Sequence, residues 1–374
     1  MAAQEQTQQH GAGARKNASP IHGKLARRLE NAASFAPGIA ALIFTLVALT
    51  VPMLHARAAD DAAPARQTIQ LGAQQPYSFA VYANNDLSQP LQVSRAVVLV
   101  HGVKRNADDY FGVGQHLLKQ ARLPASGTLL LAPNFMVQAD EGASSAMPLW
   151  GGGTWMQGEA SERGVEGLSS FQALEDIVHW LSDRKRFPQL KEIVMMGHSA
   201  GAQLMQRFAV MNDLDAPLQQ AGIAIRYIIS SPSSYVYFEA HRPDGDGFDL
   251  PKSIMCPGYN NYRYGIDNPP EYLARQHLSG QQLFARYAAR NITYMVGARD
   301  NNGNHRYLDK ACGAAMQGSN RVERQLNFVR YEAFLSAQWK VAVNHPEFQV
   351  PGAAHEADKL FRSEETALKL FPQR

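Results

Sequence analysis

Cysteine is scarce: the 374-residue chain has two, Cys256 and Cys312. No Cys/His cluster has the spacing of a metal site, which disfavours a metalloenzyme. The chain also has no G-x-x-x-x-G-K, and no G-x-G-x-x-G follows a strand-like run, so a nucleotide-dependent enzyme is disfavoured too. Internal repeats, low-complexity tracts and a clean linker are missing from the main body, which leaves no ground for dividing it. Charged residues make up only 18% against 45% hydrophobic ones, a balance that provides a large core for one big α/β domain or two smaller ones.

Basic excess is missing where a nucleic-acid binder would need it. The formal charge is +3, but residues 1–58 hold six of the 36 Lys and Arg and only two of the 33 Asp and Glu. The remainder carries 30 basic and 31 acidic residues. Nucleic acid thereby loses its main support as a partner.

What the first 58 residues do contain resembles an export leader. Lys24, Arg27 and Arg28 precede 20 uncharged residues, 35–54, and Ala56-Arg57-Ala58 then forms an A-x-A cleavage pattern. The expectation is a bacterial signal peptide over 1–58, cut after Ala58, with delivery to the periplasm or outside. An uncleaved inner-membrane anchor is the rival, because 20 residues can span a bilayer. Pro37, Gly38 and Pro52 interrupt the apolar core and favour the signal peptide. Arg27-Arg28 is a poor twin-arginine signal, since Leu-Glu follows it.

Residues 59–374 are expected to form one catalytic domain. Apolar runs at AVVLV (96–100), TLLLA (128–132), EIVMM (192–196), IRYIIS (225–230) and ITYMV (292–296) predict buried parallel strands, being apolar throughout instead of alternating. Residues 169–183 and 320–339 have helical periodicity. The pattern predicts a doubly wound, mostly parallel sheet with helices on both faces. Stretches 133–191 and 231–291 interrupt the alternation and are expected to supply loops or a small cap.

One stretch carries the chemistry. In KEIVMMGHSAGAQLMQRF (191–208) an apolar run ends at Gly197, and helical spacing begins after it with Leu204 and Phe208. GHSAG fits the G-x-S-x-G elbow, in which a sharp strand-to-helix turn lifts the Ser199 hydroxyl clear of the backbone. The glycines give room where strand and helix pack closely. The helix N-terminus favours negative charge developing beside the serine.

On these residues the chain resembles the α/β-hydrolase superfamily over most of 91–374. VVLVHGVKRNADDYF (97–111) is similar to the family's third strand and following loop. The resemblance implies oxyanion donors at the backbone N–H groups of Val103 and Ala200, with His101 structural. It also implies the chain order Ser, acid, His. Asp300, just beyond a strand in ITYMVGARDNN, is the expected acid, and His355 in FQVPGAAHEADKLF is the expected base. Val103, Ser199, Asp300 and His355 would all stand beyond the carboxyl ends of strands, where open α/β sheets place their sites.

Competitors remain for each role. Asp309 could replace Asp300; His305 and His345 could replace His355, although His345 before Pro346 is expected at the surface. DNNGN lacks the bidentate Glu of a calcium loop, having Ala311 at the twelfth position. SSPSS (230–234) follows a strand without the elbow's glycines and is expected to cap. His198 and His179 are expected to be structural.

Two cysteines in an exported chain favour a disulfide, Cys256 to Cys312. Their segments, 256–269 and 308–324, resemble paired segments of secreted α/β-hydrolases. Trp150 and Trp155, on a glycine-rich loop, are candidates for substrate contact. The sum is a secreted serine hydrolase, foremost a carboxylesterase, acting on a small or polymeric ester without any cofactor or metal. A membrane is a partner only if the leader stays attached. A serine peptidase or amidase with the same triad, and a non-catalytic binding protein on the same fold, are the alternatives.

Overall fold

The five apolar runs are strands of one eight-stranded sheet in the computed structural model, which describes residues 66–372. The leader and its cleavage site therefore lie outside the described residues. The strands are β1 (Arg66–Leu71), β2 (Tyr77–Ala83), β3 (Arg95–Val100), β4 (Thr128–Pro133), β5 (Glu192–His198), β6 (Ala224–Ser230), β7 (Ile292–Gly297) and β8 (Glu347–Val350). They lie side by side in the order β1-β2-β4-β3-β5-β6-β7-β8. β2 runs antiparallel to both of its neighbours, and the pairs from β4 across to β8 are parallel.

The central strands are apolar throughout because both faces of the sheet are covered. On β3, Val97 and Leu99 face one layer while Ala96, Val98 and Val100 face the other, and all five are buried. One layer holds α1 (Ala107–Gln120), α6 (Ala357–Phe361) and α7 (Glu364–Leu370), which bury Leu117, Phe361 and Leu370 against the sheet. The opposite layer holds α2 (Ser170–Ser182), α3 (Ala200–Met211), α4 (Gly280–Ala288) and α5 (Arg321–Trp339). Every residue of α3 is buried, so this helix packs on the sheet and on its neighbours together.

Local chemistry sets where the helices begin. Ser169 accepts a hydrogen bond from the Phe171 N–H at the start of α2, and Asn320 accepts one from Glu323 at the start of α5. The second cap fixes Arg321 in the first turn of α5, beneath the loop that follows β7.

The interrupting stretches carry structure of their own. Residues 133–191 contribute α2, and 231–291 contribute α4 and a short hairpin of Arg242–Asp244 with Gly247–Asp249. Cys256 and Cys312 form a disulfide with Cα atoms 5.8 Å apart, tying the second stretch to the loop after β7. Among the described residues no helix is long and apolar enough to cross a membrane.

Candidate active site

Ser199 stands between β5 and α3 with φ +58° and ψ −116°. A residue with a side chain in this region is strained by roughly 1–3 kcal/mol, which the surrounding structure must offset. The two glycines explain how the turn closes. A Cβ on Gly197 would come within 2.2 Å of the Gly201 carbonyl oxygen, and one on Gly201 within 2.5 Å of the Val100 and His101 oxygens. The Ser199 N–H donates to Ser230 O at the end of β6 (2.9 Å), which ties the turn to the next strand.

Three of the predicted side chains meet. The Ser199 hydroxyl lies 2.9 Å from His355 Nε2, and His355 Nδ1 lies 2.6 Å from Asp300 Oδ2. A carboxylate can only accept, so Nδ1 carries the proton and Nε2 is free to accept from the serine. Asp300 is held in a turn by its own N–H, which donates to Gly297 O (2.9 Å). Its second oxygen accepts from Arg321 (3.2 Å), and both partners are buried.

Arg321 is the residue that sequence reasoning missed. Besides Asp300 it donates to Ser233 Oγ and to Tyr307 O, each at 3.0 Å. An arginine at the start of an amphipathic helix carries no signal of such a role. Its effect is electrical as well as structural. Burial raises the Asp300 carboxyl above its ordinary range, and Arg321 opposes that shift. Burial, followed by the Arg321 and His305 charges, pushes His355 down to about 2 and keeps its imidazole neutral.

The loops that bear Val103 and Asn134 are tied together by an ion pair the sequence did not single out and by His101, which it did. Arg105 forms a two-pronged ion pair with Asp140 at 2.8 and 2.9 Å. His101, buried and expected to be structural, donates from Nδ1 to Gly102 O and accepts from the Phe135 N–H. Burial lowers its pKa to about 4. His198 is buried as well, 2.7 Å from the Tyr110 hydroxyl, and burial drives its pKa well down.

Several residues are placed differently from expectation. Trp150 and Trp155 are 2% and 0% exposed and lie in the core, not on the cleft. Trp155 stacks on Phe135 (5.4 Å between centroids), and Trp150 donates its indole N–H to Glu159 O (3.0 Å). Large indole surfaces gain more from burial than from a loop tip, and Met156 and Gln157 of the same loop reach the pocket instead. His345 is buried and bonded to Glu332 (2.8 Å), not at the surface. Half-exposed His305 lines the cleft, its ring 5.1 Å from that of His355. Asp309 bonds to the Tyr264 hydroxyl (2.9 Å) and pairs with Arg263 (3.3 Å).

Ser199 lies where two hollows meet. The larger, about 820 Å³, is lined by His355, Tyr110 and Glu356; the smaller, about 370 Å³, is lined by Ala200, Gln203 and Met156. Val103 and Tyr307 border both.

No family model matches the chain, and no curated protein matches its sequence. Solved structures do match. Poly(aspartic acid) hydrolase-1 from Sphingomonas sp. KT-1 aligns at 18% identity and TM-score 0.56, covering 83% of this chain and 100% of that one. LpqC, a poly(3-hydroxybutyrate) depolymerase from Bordetella parapertussis, aligns at 18% identity and TM-score 0.57, covering 83% and 91%. Strand order and this likeness lead to one conclusion: the chain has the α/β-hydrolase fold.

Proposed function

We propose that the protein is a serine hydrolase of carboxylic esters working through an acyl-enzyme. The observation that carries this reading is the unbroken line from the Ser199 hydroxyl through His355 to Asp300, at the meeting point of two hollows. In the first half-reaction Ser199 Oγ attacks the carbonyl carbon while its proton passes to His355 Nε2. The tetrahedral oxyanion is received by the backbone N–H groups of Val103 and Ala200, and His355 then gives the proton to the departing alcohol oxygen. In the second half-reaction water loses a proton to His355 and attacks the acyl carbon, and the acid leaves as Ser199 recovers its proton. Asp300 holds the useful tautomer throughout. The fold hosts hydrolysis in a poly(3-hydroxybutyrate) depolymerase and a poly(aspartic acid) hydrolase, which supports hydrolysis here.

We read the chain as exported, on the leader pattern at 1–58 and the disulfide between its only two cysteines.

The test is a screen of nitrophenyl esters of graded acyl length beside peptide and amide substrates, together with a fluorophosphonate probe. Ester turnover and labelling at Ser199 are expected; amide turnover alone would make the chain an amidase. Ser199→Ala or His355→Ala should each lower kcat by about a million-fold, Asp300→Ala less, and the Ser199→Ala/His355→Ala pair hardly more than either alone. Turnover that survives Ser199→Ala, or labelling at Ser231 in its place, rejects the reading.

A further inference from the structure

The two hollows beside Ser199 carry opposite charge. Arg263, Arg306 and Lys310 line the smaller one against a single carboxylate, Asp309. Asp108, Asp109, Glu356 and Asp358 line the larger one against Lys104 and Arg362.

The positive side is deeper than its lining. Behind the smaller hollow, buried Arg207 donates to Met156 O (2.7 Å), Ser234 Oγ (3.1 Å) and Gln203 Oε1 (3.3 Å). Buried Arg324 donates to Gly318 O and Asp309 O, each at 2.9 Å, and to Ser233 O. All six acceptors are neutral. Among the described residues neither guanidinium forms an ion pair with a carboxylate, and neither does Arg306 or Lys310. Guanidinium stays protonated even when buried, so these charges persist with no carboxylate in direct contact; Asp309, the one carboxylate lining the hollow, acts on both from a distance and is outnumbered by the cations around it. A low-dielectric wall holding unbalanced positive charge attracts an anion into the hollow that it borders.

Reaction geometry says which half of the substrate enters there. The alcohol oxygen must receive its proton from His355 Nε2, so the alcohol half lies in the larger hollow, which His355 lines. The acyl half then points to the smaller hollow, which His355 does not line.

We propose that the smaller hollow is an anion-selecting acyl subsite, and that the substrate is an ester whose acyl half carries a carboxylate. Its size, about 370 Å³, suits a short diacid half-ester. The proposal rests on the esterase reading of Ser199 and adds the substrate class to it. Arg306 and Lys310 act as specificity determinants at the rim. Arg207 and Arg324 supply fixed positive charge behind the wall.

The test compares mono(4-nitrophenyl) adipate with its methyl ester, which share leaving group and chain and differ in one charge; spontaneous hydrolysis is subtracted. The full-length protein should favour the anionic ester by about tenfold or more in kcat/KM at low salt, and the preference should shrink severalfold at about 0.5 M NaCl. Arg306→Glu/Lys310→Glu should lower the ratio by at least about tenfold, because the reversed charges repel the carboxylate. Arg186→Glu/Lys191→Glu, an equal charge change at the other end of β5, should leave the ratio as in the parent. Turnover of the neutral ester with a ratio near one, or a ratio unmoved by Arg306→Glu/Lys310→Glu, overturns the subsite and leaves the esterase reading standing. Turnover of neither ester, with Ser199 unlabelled by the fluorophosphonate, overturns both.

Discussion

The elbow and the loop after β7 each deliver one member of the proposed triad, but different forces hold them. At the elbow the constraints are close backbone contacts: Gly197 makes room for the Gly201 carbonyl and Gly201 for the Val100 and His101 oxygens, Ser199 takes the left-handed φ with its N–H tied to Ser230 O, and buried α3 follows at once. The loop from Ala298 to Asn320 has local turns, among them the one at Asp300, but it is held in place chiefly from outside. Arg321 and Arg324 reach up from α5 to its carbonyl oxygens at Tyr307 and Asp309, Arg321 also holds Asp300, and the disulfide pins its far end. Ser199, the proposed nucleophile, is fixed by close backbone packing against neighbouring strands, whereas Asp300, the proposed acid, is fixed largely by charged side chains reaching in from a distant helix.

The largest effect that separates the two regions should come from Arg321→Met. It leaves the buried Asp300 charge without its cation and cuts two further hydrogen bonds, so unfolding in denaturant should show a loss of about 3–5 kcal/mol. Fluorophosphonate labelling should slow as well, because Asp300 loses its orientation. A loss below about 1 kcal/mol would mean that the loop holds itself and that the contrast is false.

A smaller effect is expected at the elbow. Gly201→Ala pushes a methyl into the oxygens of Val100 and His101, which belong to backbone that cannot swing away. Denaturant unfolding should show a loss of about 1–3 kcal/mol. Unchanged stability would mean that β3 and α3 can part, and that the glycines answer to something other than close approach.

The smallest effect is a slope in pH. His101, His198 and His355 are all held neutral by burial, with folded values lowered to about 4, well below 6.5, and to about 2. The unfolded chain takes up protons near pH 6.5, so it binds more protons than the native state below that point. Stability is therefore complete above about pH 6.5 and falls as the solution is acidified, by up to about 1.4 kcal/mol per pH unit for each imidazole. The same neutrality leaves the proposed base unprotonated, so kcat/KM should stay level as pH drops through 6.5. In Arg321→Met the acid limb should move to higher pH, because a charge that depresses His355 has gone. An acid limb at the same pH in both proteins would remove Arg321 from the electrostatics.

Legibility in the sequence followed the same divide. Strands buried on both faces were plain because nothing polar interrupts them. β1 and β2 were not: half-buried Gln67 and exposed Thr68 and Gln70 dilute the apolar signal of β1 at the sheet edge, and half-buried Ser78 and Tyr82 interrupt that of β2. That Ser199, Asp300 and His355 would meet could be read from the elbow, the family order and their position past strand ends. Arg321, Arg207 and Arg324 could not, because an arginine on an amphipathic helix reads as solvent-facing until the loops that cover it are known. The tryptophans failed for a related reason: a glycine-rich loop tells where the chain turns and not which way its rings face.

Ser199 sits on a saddle between two basins. In the proposed acyl-enzyme route the covalent bond to Ser199 already sets the order of release, alcohol first and acid second. What the terrain would add is separate exits: the alcohol would leave by the wider basin, vacating the spot beside His355 Nε2 that water must take, without crossing the acyl half in the narrow one.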